Sequence, residues 1–336
     1  METWAHVWGG PVARGVLRAE PEDFAVEEEL GFEPGGGGEH VFLWIRKREA
    51  NTAEVADALA RFAGVARGAV GWSGRKDRRA VTGQWFSVQM PGTADPDWSE
   101  FSDARWSVQH SVRHSRKLRI GTHRANRFRL RVRELKGDLK ALDARLDHVG
   151  NMGFPNYFGE QRFGESGQNL RRAREQLVRR QRKPQPMLLS AARSWLFNRV
   201  LDARIADGTW CVPQPGDALM LAGSRSLFQC QGDEPDLEAR IGTFDVDVTG
   251  PLWGVGAQPV GEAVAEREAR WLEDEPALRA GIERQGAAAQ RRRFRAVASD
   301  LEWSLQGNDL ELSFTLPAGV FATSLLREIL SVESAA

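Results

Sequence analysis

The sequence predicts an α/β (α+β) protein. Strand and helix signals alternate through the first 150 residues. A glycine- and proline-rich stretch from 210 to about 259 carries short strands between helical patterns. The C-terminal segment reads as a hairpin followed by a helix, which needs a sheet to join.

Residues 15–30 read as a short strand running into an acidic stretch, followed by a glycine loop at 35–38. The run 40–48 (HVFLWIRKR) is rich in strand formers and bounded by glycine. Asn51 and Thr52 then cap a helix with Val55, Ala58, Leu59 and Phe62 on one face, ending at Gly64. Residues 84–90 make another strand, closed by Pro91 and Gly92, and a polar linker spans 93–103. In 127–135 (RFRLRVREL) arginine alternates with other residues at period two. That predicts a half-buried strand with Arg127, Arg129, Arg131 and Arg133 on its open face. A helix of about 12 residues should follow from Asp138. Helical patterns return at 165–182, 188–205 and 262–282. Residues 301–305 and 310–316 flank Gly307, Asn308 and Asp309, a hairpin signal, and a last helix is expected at 321–330. This terminal hairpin and helix are expected to complete the sheet of residues 1–150, which makes the middle of the chain an insertion.

At 336 residues the chain suggests two domains of roughly 150 residues each. Its 41% hydrophobic and 27% charged residues are ordinary for a folding core. No apolar run approaches the ~18 residues of a membrane span, and the first ten residues lack the pattern of a secretory signal. A cytoplasmic protein without membrane contact is therefore expected. Cys211 and Cys230 are too few for a disulfide scaffold or a cysteine zinc site. No GxGxxG, HExxH or phosphate-loop motif stands in workable context, so no metal and no cofactor are expected. With no coiled coil or long exposed apolar stripe, a monomer is expected.

Net charge is +0, yet lysine occurs only at 47, 76, 117, 136, 140 and 183, so arginine supplies the other forty of 46 basic residues. Arginine's planar fork suits phosphate and stacks on bases. Three features stand out. In 73–84 (SGRKDRRAVTGQ), Asp77 sits among Arg75, Lys76, Arg78 and Arg79. That is either a solvated turn or a carboxylate kept ionised by its neighbours, fit to act as nucleophile or base, with flanks that attract a phosphate backbone. From Arg113 to Arg133 nine cations, including Arg113, Arg116, Lys117, Arg119, Arg127 and Arg129, occur with no acidic residue. A polyanion would explain them better than water does. Further basic patches lie at 171–183, with Arg171 and Arg172, and at 291–295, with Arg291, Arg292 and Phe294.

These residues carry a resemblance. Gly74-Arg75-Lys76-Asp77-Arg78 with Ala80, Thr82 and Gln84 resembles the GxKD(K/R)xAxTxQ signature of the TruD family of tRNA pseudouridine synthases. Pro21 to Glu27 resembles the family's EDFxVxE segment, and Asn126 and Phe128 its NxF element. Residues 155–164 (PNYFGEQRFG) match NYFGxQRFG, and 188–198 and 316–328 also fit, so the likeness runs from about residue 15 to 330.

The resemblance implies a V-shaped α/β protein. Its mixed-sheet catalytic domain would be built from 1–151 plus 296–336 and interrupted by an inserted α/β TRUD domain at 152–295. The implied reaction turns uridine 13 in the D arm of tRNA into pseudouridine, an isomerisation that needs no cofactor. Asp77 would be the essential carboxylate, attacking the sugar or removing a sugar proton. Phe24, Phe128 and Phe321 are the implied aromatic partners of the uracil, each with core packing as the plainer alternative. Asn126 would bind the uracil edge or the aspartate, Arg18 would partner the carboxylate, and Lys76 would help hold substrate. Two other readings use the same residues: a non-catalytic RNA-binding or RNA-folding protein, which would not need Asp77, and a hydrolase that releases free uracil.

Overall fold

The computed structural model describes residues 3–178 and 185–334. In chain order the first elements are β1 (Ala13–Leu17), β2 (Phe24–Leu30), β3 (His40–Arg48), α1 (Thr52–Phe62), β4 (Val70–Trp72), β5 (Val81–Gln89), β6 (Trp106–His114) and β7 (His123–Gly137). Next come α2 (Leu139–Met152), β8 (Phe154–Pro155), α3 (Gln168–Val178), α4 (Pro186–Ala206), β9 (Ala218–Leu221), β10 (Leu227–Gln229) and α5 (Leu237–Gly242). They are followed by β11 (Val246–Leu252), α6 (Glu262–Arg270), α7 (Pro276–Arg284), β12 (Gln290–Arg293) and β13 (Arg295–Ala296). The chain closes with β14 (Ser299–Gln306), β15 (Asp309–Pro317), α8 (Ala322–Ile329) and β16 (Leu330–Ser334).

The residues group into two compact units. A sheet unit holds Val12–Leu142, Ala298–Gly319 and Leu330–Ala336; a middle unit holds Met1–Pro11, Asp143–Val297 and Val320–Ile329. The division expected from sequence, with the outer domain at 1–151 plus 296–336, differs at four places. Met1–Pro11, residues 143–151, residues 296–297 and Val320–Ile329 group with the middle unit.

In the sheet unit, ten strands among the described residues form one mixed sheet, with the path β14-β15-β7-β2-β5-β3-β6. Off this path β1 pairs with β7 and β16, and β4 with β5. The β2/β5 and β1/β16 pairs are parallel. Strand β7 is the spine, bonded to β1, β2 and β15. Its period-two pattern is obeyed: Asn126, Phe128, Leu130 and Val132 point inward, and Arg127, Arg129, Arg131 and Arg133 point outward. The C-terminal hairpin does complete this sheet. It turns over Gly307 (φ +63°) and Asn308, so Gln306 faces Asp309, the two-residue connection that matches strand twist.

Helix α1 begins at a reciprocal capping box between Asn51 and Glu54. It packs Val55, Ala56, Leu59 and Ala60 onto Val41, Leu43, Ile45, Phe86 and Val88, while Ala58 and Phe62 sit at the margin. The helix expected over 262–282 is broken into α6 and α7. Pro276 lacks an amide hydrogen and disfavours helix in the residue before it, so it starts α7 instead. Strand β6 lies in a segment too polar and weakly alternating to announce itself. In the middle unit, α3, α4 and α7 enclose a core around Tyr157, Trp195, Phe197 and Phe294, beside the sheet β10-β9-β11-β12. The helix expected to 182 is described as far as Val178; residues 179–183 of that basic patch lie outside the described residues. Among the described residues no helix is long and apolar enough to cross a membrane.

Candidate active site

Asp77 stands in the loop from β4 to β5, and the sequence around it explains how that loop is held. The Ser73 carbonyl accepts the Gly121 amide at 2.6 Å. The Gln84 side-chain amide donates to the Gly74 carbonyl, while its oxygen accepts the Thr52 hydroxyl at 2.9 Å. Thr52 Oγ1 in turn accepts the Lys76 amide at 3.0 Å. Lys47 Nζ donates to the Ala50 carbonyl at 2.6 Å and reaches the Asp77 carbonyl at 3.5 Å. Four residues of the motif, Ser73, Gly74, Lys76 and Asp77, are thus fastened to the loop before β7, to β5, to the first turn of α1 and to β3. Backbone groups that are buried and bonded this way do not wander.

The Asp77 side chain leaves that scaffold and meets Arg18, whose Nη2 donates to Oδ2 at 2.6 Å. The carboxylate side chain is 36% exposed and the arginine 17%. Arg18 itself adopts φ +62°, a left-handed conformation uncommon for a residue with a Cβ, which costs about 1–3 kcal/mol. Its guanidinium lies 4.0 Å above the Phe24 ring. Phe24 meets Phe128 edge-on at 6.1 Å, and Phe128 stacks on Phe314 at 5.2 Å. Arg18 therefore stands on a buried aromatic column. At 3% and 7% exposure, Phe24 and Phe128 show no open ring face to a base. In this arrangement they support Arg18 and the sheet, which is the packing alternative.

Lys76 departs further from the expectation of a substrate contact. Its ammonium is paired with Glu28 at 2.7 Å in a nearly solvent-free pocket. Glu28 also accepts the Trp85 amide at 3.1 Å, with His123 Nδ1 at 3.8 Å. Burial and the Lys76 charge hold the His123 imidazole below its ordinary pKa. Lys47 was not singled out from sequence, yet it is buried beneath the Asp77 loop. Burial, helped by the Lys76 charge, pushes its pKa down to about 8 against an opposing pull from Asp77. Asn126 sits on β7 between Glu28 and Leu316 in register. It is buried, and its Oδ1 has no hydrogen-bond partner among the described residues, a deficit of about 1–3 kcal/mol that a ligand donor would relieve.

Phe321 belongs to the middle unit. It is half-buried, edge-on to Phe158 at 6.0 Å, with the Arg162 guanidinium 5.8 Å from its ring. Gly159 lets the chain pass close: a Cβ there would come within 2.8 Å of Thr323 Oγ1 and 3.4 Å of the Phe321 ring.

The basic patches separate into different kinds. On β7, Arg127 pairs with Glu29 at 3.7 Å, Arg129 with Glu27 at 2.8 Å, Arg131 with Asp309 at 2.7 Å and Arg133 with Asp23 at 2.8 Å. The run that lacks acids in sequence is thus compensated by strands that flank it in space. Arg113 is tied to Asp95 and to the carbonyls of Met90 and Thr93. Arg291 is buried against Glu268 and Thr249, its donors spent inside the fold. Arg292 donates to Asn156 and covers the Phe158 ring at 4.1 Å. Of the expected RNA contacts, Arg116, Lys117 and Arg119 line a cavity of about 1060 Å³ that has no carboxylate in its lining, whereas Arg129 lines one of about 800 Å³ together with Glu20, Glu22, Asp23 and Glu311. Arg171 and Arg172 are exposed on α3.

Comparison with known proteins gives a consistent answer. The family described as tRNA pseudouridine synthase D (TruD) matches residues 1–184 and 165–329. A tRNA pseudouridine synthase D of Pseudomonas syringae pv. tomato is 46% identical over 330 residues, covering 97% of this chain and 94% of the relative. One from Aeromonas hydrophila is 43% identical over 338 residues, covering 100% and 96%. In fold, the chain is similar to a crystal structure of tRNA pseudouridine synthase D from Methanosarcina mazei. The TM-score is 0.72 at 20% identity, across 97% of this chain and 95% of that one.

Proposed function

Because the chain belongs to the TruD family of tRNA pseudouridine synthases, we propose that it isomerises uridine 13 in the D arm of tRNA, using Asp77 and no cofactor. The enzyme class is that of an isomerase acting on RNA. The single observation that carries the assignment of Asp77 is its setting: a carboxylate about one-third exposed, on a loop pinned at four residues, steered by the Arg18 guanidinium.

The reaction conserves atoms and oxidation state. The N1–C1′ bond breaks, uracil turns, C5 bonds to C1′, and the C5 proton is lost as N1 regains one. An ionised carboxylate serves this either by attacking C1′ or by removing the C2′ proton. In both roles it must stay in place while the base rotates, and the pinned loop supports that. Arg18 fixes one carboxylate oxygen and leaves the side chain partly open. A uridine inside an RNA helix is out of reach and must be flipped out, at a cost of a few kcal/mol. The unpartnered Asn126 Oδ1 offers an acceptor for the N–H edge of the extruded uracil.

The test is nucleoside analysis of an unmodified tRNA transcript after incubation with wild type and Asp77→Asn. Wild type should place pseudouridine at position 13, and the variant should fall by about 10³-fold or more while RNA affinity changes less than about threefold. Equal product from the variant overturns the role of Asp77. Product at another uridine overturns the D-arm assignment, and free uracil overturns the isomerisation.

A further inference from the structure

In the sheet unit, the face of β3 turned away from α1 carries a row of aromatic rings. Along β3, Val41, Leu43 and Ile45 meet α1, so the alternate residues His40, Phe42 and Trp44 point to the other face. There an aromatic path runs from Phe32 to His114 at 5.3 Å, to Phe42 at 4.7 Å, to Trp85 at 6.3 Å and to Trp44 at 5.3 Å between ring centroids. One end of this path is the cavity of about 1060 Å³, lined by Phe32, His40, Phe42 and His114 on its apolar side and by Arg116, Lys117 and Arg119 on its rim.

We propose that this cavity and the adjoining aromatic path hold an unpaired stretch of RNA, with a base against Phe32 and His114 and its phosphate at Arg116 and Arg119. Charge supports the choice of occupant: three cations and no carboxylate line the cavity among the described residues. Recognition groups are present as well. His40 is 7% exposed and its Nδ1 has no hydrogen-bond partner among the described residues. His114 Nδ1 accepts the Gly35 amide at 3.1 Å, which in the neutral ring places the proton on Nε2 as a donor. Phe32 is 36% exposed and lines the cavity, so its ring is accessible to a base. Size argues against a lone mononucleotide, since pockets of roughly 300–1,000 Å³ already take drug-sized ligands and this one is at the top of that range. Stacking rings beside an unneutralised basic rim form the usual platform for single-stranded nucleic acid.

The proposal rests on RNA being the substrate, but not on Asp77 being the catalyst. It is tested with a short single-stranded RNA carrying 4-thiouridine, photocrosslinked to the full-length chain and mapped by peptide mass spectrometry. Crosslinks are expected at Phe32 and within 114–122, competed by unlabelled RNA. Arg116→Gln/Arg119→Gln should weaken RNA binding about tenfold and reduce the slope of log affinity against log salt by about 1.4. Phe32→Ala should weaken it about fivefold with the slope unchanged. Thermal melting of both variants separates a binding effect from misfolding. Crosslinks confined to other peptides, or wild-type affinity and slope in the double variant, overturn the proposal. So does displacement by micromolar uridine monophosphate, which would mark a free-nucleotide site. Crosslinks at this site without pseudouridine formation would sink the catalytic reading alone.

Discussion

Strand β7 and the segment just before it are both rich in arginine, and the fold treats them in opposite ways. Arg127, Arg129, Arg131 and Arg133 each face a carboxylate on β2, on β15 or in the turn before β2. Arg116 and Arg119, a few residues earlier, line a cavity without one among the described residues. Strand pairing brings the acidic partners of the first group from positions about a hundred residues or more away in sequence. The lesson is that a basic run is a statement about sequence alone. Whether it is a footprint for a polyanion depends on what the neighbouring strands carry.

Three measurements press on that contrast, beyond those already given. The largest effect is expected at Arg291, the fully enclosed extreme of a paired cation. Arg291→Ala leaves Glu268 buried without its hydrogen-bonded partner and should cost about 3–5 kcal/mol in denaturant unfolding. The double change Arg291→Met/Glu268→Met should cost clearly less. Equal losses would mean the pair does not act as a pair.

Next is Lys47, buried with carbonyl partners only. Its pKa of about 8 in the folded protein lies below the ordinary value of 10.5. The native state therefore sheds this proton first. The penalty for burying the charge is full below about pH 8, shrinks as pH rises through the interval to 10.5, and is absent above it. Wild-type stability should gain up to about 3 kcal/mol across that window relative to Lys47→Met, which has nothing to titrate there. The Met variant should be the more stable at pH 7 and the less active, because the Asp77 carbonyl loses its bond from Nζ. Denaturant midpoints from pH 7 to 10.5 decide this, and parallel curves would contradict the buried charge.

The smallest effect is the sharpest probe of the comparison itself. Arg127→Gln/Arg129→Gln should change RNA affinity less than about threefold, since exposed ion pairs on the sheet contribute only about 0–1 kcal/mol. A tenfold loss there would erase the distinction between the two halves of the run.

Much of the architecture was legible in the chain because it is encoded locally. The run 40–48 is a strand with the expected bounds, Asn51 caps α1, and arginine alternation marks β7. The hairpin at Gly307 was readable for the same reason, and the lack of a local core for it predicted correctly that it joins the outer sheet. The motif around Asp77 was readable as a motif, and the resemblance set Arg18 beside its carboxylate, where the two stand 2.6 Å apart. The buried supports of the loop were not readable. Lys47 looks like one more surface cation in Arg46-Lys47-Arg48, and only the pleat turns it inward. Glu28 is hidden between Glu27 and Glu29 for the same reason, so the buried partner of Lys76 could not be told from its exposed neighbours. Arg291 reads as part of a basic patch because its partner Glu268 lies on a different element.

The pairing of β1 with β16 sets residue 13 beside residue 330. During synthesis on the ribosome β1 thus waits some three hundred residues for β16, and such remote pairing slows folding. The growing polypeptide carries an open strand edge through translation, so partners that shield such edges in the cell would matter more for this protein's yield than for its finished stability.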